Sequence, residues 1–433
     1  MQIDECIVRM DSNEGQTYLT KLYGCDDSLI SLQKERYKNL MTEYKKVFKE
    51  SEVEVFSSPG RTEISGNHTD HNCGKVLAGS VSLDCIAIAS KNDENLIRIH
   101  DITYKDDFTI NVNKTDKKPD EMGSMALVRG IIAGVKKFGF NVGGINLCLT
   151  TNVISAAGVS SSASFEMLIC KVIDTLYNDS KMSKIDCARI GQFAENVYWD
   201  KKSGLMDQTA CAVGGVLYID FKDTKNPILD KIDFDISKKD YNLLLVNTGG
   251  NHADLSEEYS AIPNEMFDVA KEFGKTTLRE VPFEEFLENI ENVRCKVGDR
   301  AVLRAIHYFD ENTRVQKQVE ALKDDNFKGF LKNVGKSGDS SWKLLQNCYT
   351  TKSSKEQSTA YYLALTHMFL NGREGACRVH GGGFGGTIVV YLPNDSIDDY
   401  VSHIERLTGN KSMFKMSIRK YGAVSFNELL DSI

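Results

Sequence analysis

No stretch of the 433-residue chain approaches the roughly 18 to 20 uninterrupted apolar residues that a membrane-spanning helix requires. Basic residues are in deficit: 53 Lys and Arg against 61 Asp and Glu give 53 − 61 = −8. That balance argues against a dedicated nucleic-acid binder, which carries a basic surplus or a clustered basic face. The opening Met1-Gln2-Ile3-Asp4-Glu5 lacks the basic head and apolar run of a secretory signal. The expectation is a soluble, cytoplasmic protein that engages neither membrane nor nucleic acid. Eleven cysteines include no C-x-x-C pair, which excludes a zinc knuckle and a thioredoxin-like redox centre. Cys148 and Cys170 stand in apolar surroundings and read as reduced thiols acting as small core residues. Solenoid-type repeats and low-complexity tracts are also absent.

What remains is ordinary globular composition, 41% apolar and 26% charged, in a chain longer than one core usually serves, so two domains are expected. Residues 27–50 carry Leu29, Leu32, Tyr37, Leu40, Met41, Tyr44 and Val47 near helical spacing. Val53 to Phe56 reads as a strand ending in a Pro59-Gly60 turn. Short strands, a helix near 122–138 and a strand at 144–149 follow. Then come helices near 160–177 and 184–199 and a strand at 215–221. The polar stretch 222–231, holding Pro227, is the expected seam, dividing the chain into 1–225 and 226–433. Without regular strand–helix alternation, the pattern indicates an α+β protein rather than a parallel Rossmann sheet.

Four segments carry chemistry. Ile154 to Ala163 gathers small residues and three consecutive serines ahead of a helix. Such a helix start favours phosphate through its free amides, and a hydroxyl there can ligate Mg²⁺. Gly381 to Gly386 holds five glycines in six positions, more than a hairpin turn needs, and indicates close backbone approach to a ligand. Gly60 to Gly74 packs Arg61, Asn67, His68, Asp70 and His71 between glycines, a density of donors and acceptors suited to a polyol. A metal site built from His68, Asp70 and His71 ranks lower, because adjacent loop residues rarely converge on one ion. Ser203 to Gln208 contributes Asp207, which alone reads only as a helix cap. Gly274-Lys275-Thr276 and Gly335-Lys336-Ser337 are not P-loops, since Val269 and Phe330 stand where the first glycine belongs.

In this order and spacing the four segments resemble the galactokinases, a family within the galactokinase/homoserine kinase/mevalonate kinase/phosphomevalonate kinase (GHMP) superfamily. Residues 247–259 are similar to a sugar-contacting segment of that family. The resemblance implies a two-domain fold with the active site in the cleft between domains. It also implies transfer of the γ-phosphate of ATP, with Mg²⁺, to the anomeric hydroxyl of galactose. By the resemblance, Asp207 is the catalytic base and Arg61 its charged neighbour. Asn67, His68, Asp70, Gly204 and Tyr259 hold the sugar, Ala157, Gly158, Ser160, Ser161 and Ser162 hold ATP, and Ser160 and Glu195 ligate the metal. The expected assembly is a monomer whose partners are small molecules. Asn67 replaces a Glu usual in the family, which lowers the barrier to a uronic acid, and His380 replaces a small polar residue. A kinase for galacturonate or N-acetylgalactosamine, or a non-catalytic sensor on the same fold, are the alternatives.

Overall fold

The computed structural model describes residues 1–49, 52–153, 158–201, 203–250 and 255–431. Among the described residues twelve strands run in chain order: β1 (Glu54–Ser65), β2 (Lys75–Asn92), β3 (Leu96–Asp101), β4 (Asp106–Asn111), β5 (Gly144–Thr151), β6 (Val216–Asp220), β7 (Ile228–Ile232), β8 (Tyr241–Asn247), β9 (Ala376–His380), β10 (Thr387–Pro393), β11 (Met413–Met416) and β12 (Val424–Ser425). They form two sheets. The first is ordered β12-β1-β2-β5-β3-β4, with β6 also on β2 and β7 on β6; the second is β11-β8-β10-β9. Among the described residues only β3 and β5 pair in parallel. Helices pack on both sheets, as the α+β expectation requires.

The first sheet is buried on both faces, and the period of two along β2 explains how. Cys85, Ala87 and Ala89 face a core shared with the helices Gly123–Lys137 and Ser161–Tyr177. Ile86 and Ile88 face the opposite way, into a core with Tyr18, Tyr37, Leu40 and Tyr44 of the first three helices. The helix Asp27–Phe48 therefore covers the sheet. Its buried stripe runs through Ile30, Tyr37, Leu40, Met41 and Tyr44, while Leu32 and Val47 from the expected stripe are solvent-exposed.

One strand boundary differs from the sequence expectation. β1 continues through Pro59 and Gly60 to Ser65 instead of turning. The pairing with β2 shifts register between Pro59 and Arg61, and β12 covers β1 only at Phe56 and Ser57. Pro59 thus sits beside a bulge where its missing N–H breaks no ladder. The polar stretch 222–231 was expected to be the seam. It contains the turn and most of the returning strand of the β6–β7 hairpin, and β7 stays in the first sheet, so passage to the second sheet comes later, across 233–240.

The chain then returns. Arg419, fully buried, binds Asp84 at 3.1 Å and the Ser57 hydroxyl at 2.6 Å, and β12 closes onto β1. No described helix is long and apolar enough to cross a membrane.

Candidate active site

The last residues of β1 and the turn after it supply the first wall. Arg61 is buried on that strand and reaches Asp207, in the first turn of the helix Met206–Val213. Its Nε donates to Asp207 Oδ1 at 2.7 Å and its Nη2 to Oδ2 at 2.9 Å, a two-pronged pair; Nη1 donates to the Gly158 carbonyl. Ser160 adds its hydroxyl to Asp207 Oδ2. Burial disfavours the charged carboxylate, but Arg61 and the Ser160 hydroxyl more than offset it, and the Asp207 carboxyl lies below the ordinary Asp range.

Ser160 caps the helix Ser161–Tyr177 from a left-handed conformation (φ 59°) without a side-chain bond to its amides. The 17-residue helix therefore presents free N–H groups, the arrangement that binds phosphate. Gly158 is required beside it. Its φ is +69°, and a side chain would lie 2.6 Å from Thr387 Oγ1 and 2.8 Å from His380 Nδ1. His380 is buried, accepts the Glu63 amide at Nε2, and leaves Nδ1 without a partner among the described residues. Ala157 and its neighbours 154–156 lie outside the described residues.

A polar cavity is lined by Arg61, Glu63, His68, Asp70, Lys201, Gly204, Asp207, Tyr259, Gly381 and Gly382, among others. It thus joins β1, the 201–207 segment, the helix Ser256–Glu272 and the loop between β9 and β10. His68 donates from Nε2 to the Gly382 carbonyl at 3.0 Å, and its buried Nδ1 has no partner among the described residues. Burial, aided by His71, pushes His68 down to about 3, so the ring is neutral and Nδ1 is a bare acceptor. Tyr259 packs edge-on against His68, ring centres 5.1 Å apart. Asp70 closes over Gly204, where a Cβ would fall 1.7 Å from its Oδ2.

Asn67 departs from expectation. It is fully buried, and its amide donates to Glu63 Oε1 at 2.8 Å and the Gly381 carbonyl at 2.9 Å, while its oxygen accepts from Asn347 at 2.7 Å. The side chain is committed to the interior, and Glu63 faces the cavity in its place. Glu63 is paired with fully buried Arg378 at 2.6 Å. Burial raises its carboxyl above the ordinary Glu range and Arg378 pulls it back. Glu63 was legible only as one half of a Glu/Asn pair four residues apart.

The metal expectation is also redistributed. Ser162, not Ser160, donates to Glu195, at 2.7 Å from Oε1, because Ser160 is held by Asp207. Gln208 and Ser203 donate to Oε2, and Lys201 donates to Oε1. Among the described residues no group of three His, Cys, Asp or Glu could hold an ion, so the His68, Asp70 and His71 alternative is not assembled. One carboxylate and one hydroxyl suit an ion that takes its remaining ligands from phosphates and water.

Beside Ser161 and Ser162 lies a second cavity of about 230 Å³, lined also by Tyr104, Leu127, Phe165 and Trp199, residues the motif reading missed. A larger one, about 680 Å³, between helix Phe327–Ser340 and β8–β9, contains no residue of the four chemistry-bearing segments.

Two family models match the chain: the galactokinase galactose-binding signature over residues 42–91 and the GHMP kinase N-terminal domain over residues 126–215. Galactokinase of Haemophilus influenzae is 29% identical over 384 residues, covering 86% of this chain and 94% of its own. That of Clostridium perfringens is 28% identical over 361 residues, covering 81% and 88%. Among solved structures, Lactococcus lactis galactokinase complexed with galactose superposes with a TM-score of 0.78 at 23% identity over 90% of this chain and 99% of that one. Methanococcus jannaschii mevalonate kinase gives 0.58 at 15% identity over 84% and 98%. The family models, the curated relatives and the superposed structures agree in one direction: the chain is similar to the galactokinases and, more widely, to the GHMP kinases.

Proposed function

We propose that the protein transfers the γ-phosphoryl group of ATP to the anomeric hydroxyl of galactose, giving galactose 1-phosphate and ADP. The observation that carries this reading is Asp207. It is an ionised carboxylate held on both oxygens by Arg61, at a cavity with unpartnered sugar-binding groups and beside a free helix N-terminus. The Ser160 hydroxyl on Asp207 Oδ2 marks the place an acceptor O–H takes. From there Asp207 orients the hydroxyl and receives its proton as the bond to phosphorus forms. Arg61 keeps the base charged and faces the developing negative charge. His68 Nδ1 and Asp70 accept from sugar hydroxyls, and Tyr259 walls the ring.

Ser161 and Ser162 open the helix whose amides hold the phosphates. The 230 Å³ cavity flanked by Phe165 and Trp199 receives the nucleoside. Ser162 and Glu195 hold Mg²⁺, which when bound neutralises phosphate charge. The two lobes divide near 233–240, and the working form is a cytoplasmic monomer.

Glu63 favours a neutral sugar over galacturonate. A carboxylate lining the cavity repels a substrate carboxylate, the discrimination expected to be lost when only Asn67 is considered. In a sugar panel followed by ADP release, galactose is therefore turned over fastest. Faster turnover of galacturonate or N-acetylgalactosamine would replace the substrate, and no release with any hexose would favour a sensor. Glu63→Gln is expected to narrow the galactose-over-galacturonate ratio in kcat/KM by about tenfold or more. An unchanged ratio would remove Glu63 from the selection.

Gly204→Ala is expected to push Asp70 aside. The loss of one charge-assisted hydrogen bond raises the sugar KM roughly 10- to 100-fold while the ATP KM changes little. Steady-state kinetics with each substrate varied separately tests this; equal effects on both would place the damage elsewhere.

A further inference from the structure

A cation already stands at the metal site. The Lys201 ammonium lies 2.5 Å from Glu195 Oε1 and 3.1 Å from Ser162 Oγ, the two oxygens assigned above to Mg²⁺. Glu195 is buried, and without an ion its carboxylate would be an uncompensated interior charge. Lys201 supplies the compensation. Its side chain is nonetheless 43% exposed, rests near the Trp199 ring at 5.3 Å, and lines the cavity that holds Asp207. It therefore has room to leave its seat without rearrangement of the fold. Two cations cannot share one pair of oxygens, because like charges at such separation repel strongly in a poorly solvated site.

We infer that Lys201 is the resident counter-ion of the metal site, occupying the seat between Ser162 and Glu195 until a divalent cation displaces it into the catalytic cavity. The inference rests on the Ser162–Glu195 metal reading. It makes metal entry an exchange rather than a simple addition. The ion-free protein keeps Glu195 paired and the 195–207 segment anchored, and the cost is weaker binding of the bare ion. Once displaced, the ammonium lies near Asp207, on the side where phosphoryl charge develops.

The test uses Mn²⁺ alone and the full-length chain. Free Mn²⁺ is read by electron paramagnetic resonance for the wild type and for Lys201→Met, which keeps the stem and removes the charge. The variant is expected to bind Mn²⁺ roughly tenfold more tightly, since the ion no longer competes with an ion-paired ammonium. Equal or weaker binding by a folded variant overturns the inference. A second measurement needs no variant. Trinitrobenzenesulfonate labelling of wild-type Lys201, located by peptide mass mapping, is expected to rise when Mg²⁺ alone is added. Unchanged or reduced labelling overturns the displacement. If Mn²⁺ binds neither protein even with ADP present, the metal reading itself fails and the inference with it, an outcome distinct from unchanged affinity.

Discussion

Asp207→Asn is expected to lower kcat for galactose by about 10²- to 10⁴-fold, the contribution of a positioned base in proton transfer. The amide keeps the size of the carboxylate and can still accept from one prong of Arg61. It cannot take a proton, and its NH₂ faces a guanidinium or the Ser160 hydroxyl where Oδ2 accepted both. Nucleotide binding, which depends on the helix start and the second cavity, should change by less than about threefold, under one kcal/mol. Coupled measurement of ADP release and calorimetric titration with ADP separates the two effects. A variant retaining a tenth or more of wild-type turnover would remove Asp207 from the chemical step. A loss of nucleotide affinity equal to the loss of turnover would assign it a structural part instead.

The second large effect concerns stability. Arg378→Met is expected to destabilise the fold by about 3–5 kcal/mol, because it strips the guanidinium from a buried carboxylate. Arg378 is fully buried, donates to Glu63 Oε1 at 2.6 Å, and supports the Glu63 carbonyl at 3.3 Å. Adding Glu63→Gln removes the stranded charge, so the double variant should be more stable than Arg378→Met alone. Urea unfolding midpoints of the four proteins give the coupling directly. An Arg378→Met protein as stable as the wild type would show the pair to be dispensable. A double variant no better than the single would put the cost on lost packing.

The parts of the site legible in the sequence were those confined to short segments. Serines before a helix, glycines before a strand and a polar cluster after β1 announce themselves by local composition, and their order carried the family resemblance. What escaped depends on partners far apart in the chain. The Asn67 amide is held inside by Asn347 and Gly381 while Glu63 lines the cavity, an arrangement no local pattern encodes. Ser160 and Ser162 look equivalent in a run of serines, and only the approach of Asp207 and Glu195 from other elements distinguishes them. Lys201 carries no signal of its own in the sequence, and only the approach of Glu195 gives it a partner. The fold behaved in the same way. Helix and strand periods were readable, but Pro59-Gly60 was misread as a turn because a bulge and a largely open neighbouring edge are tertiary facts. The polar 222–231 stretch looked like a linker because a hairpin turn has the same composition.

Arg419 has a bearing on the order in which the molecule is made. The Asp84 carboxylate is fully buried in the first lobe, and one of its two guanidinium partners is Arg419, synthesised hundreds of residues later. β12, which closes the edge of β1, arrives later still. During vectorial synthesis the first lobe therefore emerges with an interior charge half-paired and a strand edge open. Removal of Arg419 and β12 is therefore expected to loosen the first sheet around Asp84 and Ser57, more than one hundred residues from the second sheet's β8 in the chain.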